Sequence, residues 1–321
     1  MLKRPRRNRK TEAIRHLFQE TLVSPKDFIM PFFVIEGEHK KEPILSLPGL
    51  FAYSQDELVK EAQALHEKGV PGVLLFPIEH RKDPTGSRAL SLEGIIPRAL
   101  RFLKQELPSL CLFCDVALDP YTSHGHDGYI DSSGYVLNDE TVEVLCQMAT
   151  LYGDCGADFV APSDMMDGRV GAIRRALDKK MHHHVGILSY TAKYASSLYA
   201  PFRNTLKSHL QIGDKKSYQM NMRNAKEALR EAALDEEEGA DALMIKPALF
   251  YLDIISQIKQ QSNLPICAYH VSGEYAMVMA AEEKGFLDAD KTFLEALISI
   301  KRAGADCMIS YALPRILPLL D

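Results

Sequence analysis

The sequence has no apolar run approaching the roughly 20 residues that a membrane-spanning helix needs. Its N-terminus is basic, yet no apolar stretch of the kind found in a secretory leader follows. Net charge is only −5, so no global field of one sign points to nucleic acid. No segment rich in Gly, Ser or Pro divides the chain into separate domains. Cysteines number six in 321 residues and are scattered, which excludes the disulfide scaffold of short secreted proteins. Reduced thiols in a cytoplasmic protein are expected. Cys111 and Cys114 form a C-x-x-C, but they lie in a run that reads as a strand. Alternation then points residues three apart to opposite faces, where they cannot chelate one ion.

A hydrophobic content of 46 % with 25 % charged residues is that of a soluble globular protein with a sizeable core. The first ten residues carry six positive charges, Lys3, Arg4, Arg6, Arg7, Arg9 and Lys10. Such a run is commonly a solvated tail, and an RNA-binding arm would want interleaved aromatics, which are missing. An arm over residues 1–20 that wraps a partner subunit is the third reading. Beyond it, eight β-branched or apolar runs recur: Phe28–Ile35, Gly72–Ile78, Leu110–Leu118, Ala157–Ser163, Val185–Thr191, Ala242–Ala248, Pro265–Val271 and Asp306–Ala312. Amphipathic stretches such as Asp56–Lys68, Asp139–Tyr152, Ala225–Glu238 and Asp290–Arg302 separate them, several ending in a capping glycine. Eight β-α repeats with long connections imply parallel strands and right-handed crossovers. The predicted fold is an α/β TIM (β/α)8 barrel over residues 21–321. An open doubly wound sheet would want G-x-G-x-x-G after its first strand, and none is there.

In such barrels the chemistry sits where strands end and βα loops meet. Two post-strand segments, Asp119–Asn138 and Ala192–Asn224, are long enough to act as lids. The sixth run brings Lys246 to its end, and the fifth brings Lys193 to the neighbouring end. Apolar surroundings penalise an ammonium, and a second one nearby adds to the penalty, so both amines are expected to be neutral. A neutral amine captures a ketone as a Schiff base. A single lysine would ordinarily be a surface or salt-bridging residue; the adjacent pair argues for chemistry.

Several longer motifs carry a resemblance. Met244-Ile-Lys246-Pro-Ala-Leu-Phe-Tyr-Leu-Asp253, Ser189-Tyr-Thr-Ala-Lys193 through Arg203, Asp115-Val-Ala-Leu-Asp119 through Gly128, and Tyr269-His-Val-Ser272-Gly-Glu are in order along the chain. Together they resemble the porphobilinogen synthase (5-aminolevulinate dehydratase) family over nearly its whole length. The resemblance implies a lyase of tetrapyrrole (haem) biosynthesis that joins two 5-aminolevulinate molecules with loss of two waters. It implies an imine on Lys246, with Ser272 and Tyr311 on the carboxylate of that substrate. Lys193 would engage the second substrate, whose carboxylate meets Arg203, Lys215 and Gln219. Asp115 joins the two lysines as a catalytic candidate. The family assembles into octamers through N-terminal arms, the use expected for residues 1–20.

Departures from the family pattern are informative. Zinc-dependent members place three cysteines where this chain has Ala117, Asp119 and Asp127, so no active-site zinc is expected. Alternation puts Asp115, Ala117 and Asp119 on one strand face. Hard carboxylates favour Mg²⁺ through retained waters, making Asp119 and Asp127 candidate ligands. Equally, these aspartates could only orient the lid, a lysine or substrate. A second, allosteric Mg²⁺ is implied at Glu231, fifteen residues before Lys246, at a subunit interface. The rival functions are a class I aldolase, which needs one imine lysine, and a non-catalytic scaffold or nucleic-acid binder using the arm. His182–His184 and the dispersed methionines read as structural. The family commonly has arginine at the position of Lys215, and lysine lacks its bidentate fork. Lys215→Arg is therefore expected to lower the half-saturating substrate concentration in steady-state assays; a rise would contradict a carboxylate-binding role.

Overall fold

A computed structural model describes residues 2–320; Met1 of the arm and Asp321 of the barrel segment lie outside the described residues. The strands are β1 (Phe28–Val34), β2 (Lys41–Pro43), β3 (Phe51–Tyr53), β4 (Gly72–Pro77), β5 (Cys111–Val116), β6 (Phe159–Pro162), β7 (Gly186–Lys193), β8 (Ala242–Lys246), β9 (Ile266–His270) and β10 (Cys307–Ser310). β1 and β4 to β10 pair in parallel in chain order, and β10 closes on β1 through Phe28↔Met308 and Ile29↔Ile309. Each of the eight predicted runs supplies one barrel strand. Helices outside and side chains inside bury both faces, which is why β1 and β4 are apolar and buried along their whole length.

The short β2–β3 hairpin is an addition that the sequence pattern does not announce. β3 joins the end of β1 in parallel at Phe33↔Ala52, and β2 pairs antiparallel with β3. Lys41-Glu42-Pro43 is exposed throughout and shows no apolar alternation. The helices Lys226–Glu238 and Ala289–Ala303 do end at the expected glycines. Gly239 and Gly304 take φ of 99° and 125°, a backbone state that other residues rarely adopt. Among the described residues no helix is long and apolar enough to cross a membrane.

In the arm, Thr11 caps a helix over Glu12–Leu17 by accepting from the Ile14 N–H. Neither this helix nor the turn Pro5–Arg9 buries any residue, and Leu17, Phe18 and Leu22 are exposed. The two long segments lie over the barrel mouth. The second begins inside β7 and contains its own helix, Ala200–Leu206. Close backbone approach fixes how they sit. A Cβ on Gly125 would lie 2.7 Å from the His209 carbonyl, and one on Gly273 2.5 Å from that of Leu198. Polar clasps add to this: Ser46 Oγ donates to Pro201 O at 2.9 Å and Lys82 Nζ to Leu206 O at 2.8 Å. His126 Nε2 contacts Ile212 O at 2.8 Å, and because a carbonyl can only accept, that nitrogen carries the proton.

Candidate active site

β7 and β8 run side by side, and their register makes Lys193 and Lys246 direct Cα partners. The adjacency expected of the two lysines is present at the C-terminal rim, beneath the lid. A bulge between Ser189 and Ala192 gives β7 one more residue than β8 over the same span. Regular alternation would turn Tyr190 and Lys193 to opposite faces. With the extra residue both face the mouth: the Tyr190 ring centre lies 5.9 Å from Lys193 Nζ and 4.9 Å from Lys246 Nζ.

The two amines have different surroundings. Lys246 Nζ is enclosed by the rings of Tyr269 (4.7 Å), Tyr190 (4.9 Å), Tyr199 (5.2 Å) and Phe202 (5.2 Å). Rings exclude water and leave the ammonium without a carboxylate partner. Burial first, and Lys193 second, bring Lys246 down from 10.5 to about 7. That difference amounts to about 5 kcal/mol against the charged form. Lys193 is instead ion-paired with Asp127 (3.4 Å) and donates to the Ser163 carbonyl. The expectation of two neutral amines in apolar surroundings is thus corrected at Lys193: a carboxylate from the long post-β5 loop reaches Lys193 and not Lys246.

Asp115, on β5, is buried. Burial pushes its carboxyl up to about 7; Lys246 and Lys193 oppose this and Asp119 reinforces it. It is therefore protonated or poised near neutrality, with Oδ1 lacking any hydrogen-bond partner. Asp127 goes the other way. Burial would raise it, but Lys193 and Lys215 together hold its carboxyl far below the usual range. Lys215 Nζ lies 2.7 Å from Asp127 and 3.3 Å from Asp119. Burial works against its charge, and these two carboxylates outweigh burial and raise it. β5 ends at Val116, so Asp119 reaches this pair from the loop rather than by the strand alternation expected of it.

Asp119 and Asp127 do not fit a divalent cation as they stand. Lysine nitrogens already occupy the space between their oxygens, and a hard cation would have to displace a buried ion pair. Among the described residues, the one cluster of three close donor atoms, His39, Asp56 and Glu57, is elsewhere on the surface. Of the remaining predicted residues, Gln219 is buried at the mouth with an unpartnered Oε1. Arg203 stands on the lid helix with its guanidinium 5.7 Å from the Tyr199 ring centre. Ser272 Oγ accepts from Phe202 N (3.1 Å) and donates to Leu198 O (3.2 Å), stitching the lid to the end of β9. Tyr311 shares a 2.8 Å hydroxyl contact with Tyr269 and stacks on Phe33. Glu231, on Lys226–Glu238, lines a cavity that Tyr218 and Gln219 also line from the long post-β7 segment.

Sequence reasoning missed the aromatic cage. Tyr199 and Phe202 arrive from the lid, and Tyr190 through a bulge that no pattern signals. Tyr269, one residue before the last in β9, was the one alternation could have found. Because Asp115 raises Lys246, Asp115→Asn should move the half-point of cyanoborohydride imine trapping at Lys246 below the parent value near pH 7. The amine reacts when neutral, so trapping fades as pH falls through that point; an upward move would contradict the electrostatics described.

Comparison with known proteins bears on this site. The family model for delta-aminolevulinic acid dehydratase matches residues 2–319. The delta-aminolevulinic acid dehydratase of Chlamydia pneumoniae is 55 % identical over 320 residues, covering 99 % of this chain and 96 % of the relative. The chloroplastic protein of that name from Glycine max is 50 % identical over 97 % of this chain and 76 % of its own length. Among solved structures, delta-aminolevulinic acid dehydratase (porphobilinogen synthase) of Toxoplasma gondii ME49, in complex with the reaction product porphobilinogen, superposes with a TM-score of 0.96. It is 47 % identical over 99 % of this chain and 92 % of that one. With its closed barrel and its paired lysines in register at the mouth, the chain belongs to the delta-aminolevulinic acid dehydratase family of lyases.

Proposed function

We propose that this chain condenses two molecules of 5-aminolevulinate into porphobilinogen with loss of two waters, each ketone being captured by one lysine. The observation that carries the reading is the register pair Lys193 and Lys246, one ion-paired and one desolvated. Lys246, brought down to about 7, is the amine that loses its proton readily near neutral pH. Its attack on a ketone forms a C–N bond, and the carbinolamine oxygen must leave as water. Asp115, with a carboxyl near 7, can donate that proton and later take one back. Lys193 becomes a nucleophile once it loses its proton; Asp127, at 3.4 Å, orients its nitrogen, and a carboxyl held so far below the usual range leaves that proton to solvent or to the substrate amine.

On this reading Ser272 and Tyr311 meet the carboxylate of the Lys246-bound substrate. Ser272 would exchange its lid contacts for substrate, and Tyr311 its contact with Tyr269. Arg203, Lys215 and Gln219 meet the second carboxylate. Gln219 can turn its amide so that Nε2 faces the ligand, and its unpartnered Oε1 agrees with an amide awaiting one. Lys215, spanning two aspartates, supplies less free charge than Arg203. Reduction with borohydride in the presence of labelled 5-aminolevulinate should place label on Lys246. Peptide mapping that finds it elsewhere would overturn these roles.

The reading includes no divalent cation between Asp119 and Asp127. It does include Mg²⁺ at Glu231. There a cavity of about 290 Å³ is lined by Glu227, Asp167 and Glu231, and burial together with Asp235 raises the Glu231 carboxyl. Mg²⁺ supplies hard positive charge bound through oxygen and water, which would relieve that crowding. The exposed apolar residues of the arm fit association into an octamer, with Mg²⁺ favouring the larger assembly. A cytoplasmic location belongs to the same reading, as does the absence of nucleic-acid or membrane partners. Sedimentation should show Mg²⁺ shifting the parent protein toward the larger species and leaving Glu231→Ala unmoved; equal shifts in both would remove Glu231 from the role.

A further inference from the structure

The bulge in β7 has a support behind it that the reaction itself does not use. β6 pairs with β7 only through Phe159↔Gly186 and Val160↔Ile187, so β7 continues beyond its neighbour on that side. Carbonyls past that point need partners, because a buried unpaired carbonyl is costly. Arg169, the first residue of the helix Arg169–Lys179, fills the gap. Its Nη2 donates to Tyr190 O (3.2 Å) and Ser189 Oγ (3.3 Å), and its Nη1 to Met166 O (3.2 Å). Asp235 (3.7 Å) and Asp164 (3.8 Å) flank the guanidinium, and Ser189 Oγ donates to Asp235 at 2.6 Å. All four side chains are buried.

We infer that Arg169 is a positioning residue: its fork holds the Tyr190 carbonyl in the bulge and so aims both Tyr190 and Lys193 at Lys246. The inference rests on the reading of Lys193 and Lys246 as the ketone-capturing residues. Three features of the cluster support it. The guanidinium binds Tyr190 within the bulge and Ser189, the residue at which the bulge opens. Its planar geometry serves one strand hydroxyl and two backbone carbonyls at once, which an ammonium on a flexible stem does not reproduce. The connection it closes, residues 163–168, also carries the Ser163 carbonyl that receives Lys193 Nζ. Lys193 is thus held from both directions, by its own strand and by the loop that Arg169 pins. A buried cation between two carboxylates is weak evidence for stability in itself, and a fork directed at a catalytic bulge gives it another purpose.

Arg169→Lys tests this, since it keeps the charge that Asp164 and Asp235 require and loses the fork. Active sites are counted by borohydride trapping of 5-aminolevulinate at Lys246, and kcat is expressed per trapped site. The expected result is a fall in kcat per site of about ten- to hundredfold, the order produced by a misplacement near 1 Å, with KM little changed. A purely structural role would lower the number of trapped sites and leave kcat per site alone, and that result would overturn the inference. Should Arg169→Lys fail to fold, Ser189→Ala decides by the same measurement, because it removes one acceptor of the fork with little change in volume. Unchanged kcat per site in that variant would likewise overturn it. Labelling of the parent enzyme separates the two levels. A parent that is not trapped at Lys246 refutes the imine reading, whereas a trapped parent with an unaffected variant refutes only the brace.

Discussion

Four aromatic rings around Lys246 Nζ deny its ammonium water and a directly paired carboxylate, and the other features of the mouth are arranged around that deprivation. Burial that disfavours the charged form of a lysine works against the net stability of a fold. It can be sustained only where a well-packed barrel encloses the site. Parallel closure supplies that rigidity, and the lid completes the enclosure with Tyr199 and Phe202. The residues that cover the amine therefore come from elements far apart in the chain.

Charge is divided unequally across the same mouth. On one side Lys193, Lys215, Asp119 and Asp127 form a buried ionic group in which each lysine has a carboxylate. On the other, Lys246 has none. Asp115 is between the two, raised by burial and pulled down by Lys246 and Lys193. Groups whose environments push them apart in this way divide acid and base duties. Here the separation sets a neutral amine and a protonatable carboxyl side by side near neutral pH. Lysine fills the space between the loop aspartates, so local charge balance on this side is achieved by side chains alone.

Much of this was legible in the chain. Eight apolar runs separated by amphipathic helices gave the barrel, because parallel strands covered on both faces leave a strong hydrophobic signal. Lys193 and Lys246 could be singled out because strand ends in such barrels carry the chemistry. Asp115, at an inward strand position, followed from alternation. Asp119 was a different matter: alternation put it beside Asp115, but the strand stops at Val116 and a loop decides where Asp119 goes. The β2–β3 hairpin left no signal because its strands are three residues each and its first is wholly exposed.

Local residue order by itself thus determined the eight barrel strands, their closure into a barrel and the neighbouring positions of two lysines. These depend on periodicity and chain order, which are properties of segments. Tertiary structure alone decided that one lysine is paired and the other desolvated, that Tyr190 turns inward through a bulge, and that Lys215 lies between two aspartates. Each depends on distances between residues separated by tens of positions. Electrostatic energies vary steeply with such distances and with burial, so no reading of spacing along the chain could have supplied them.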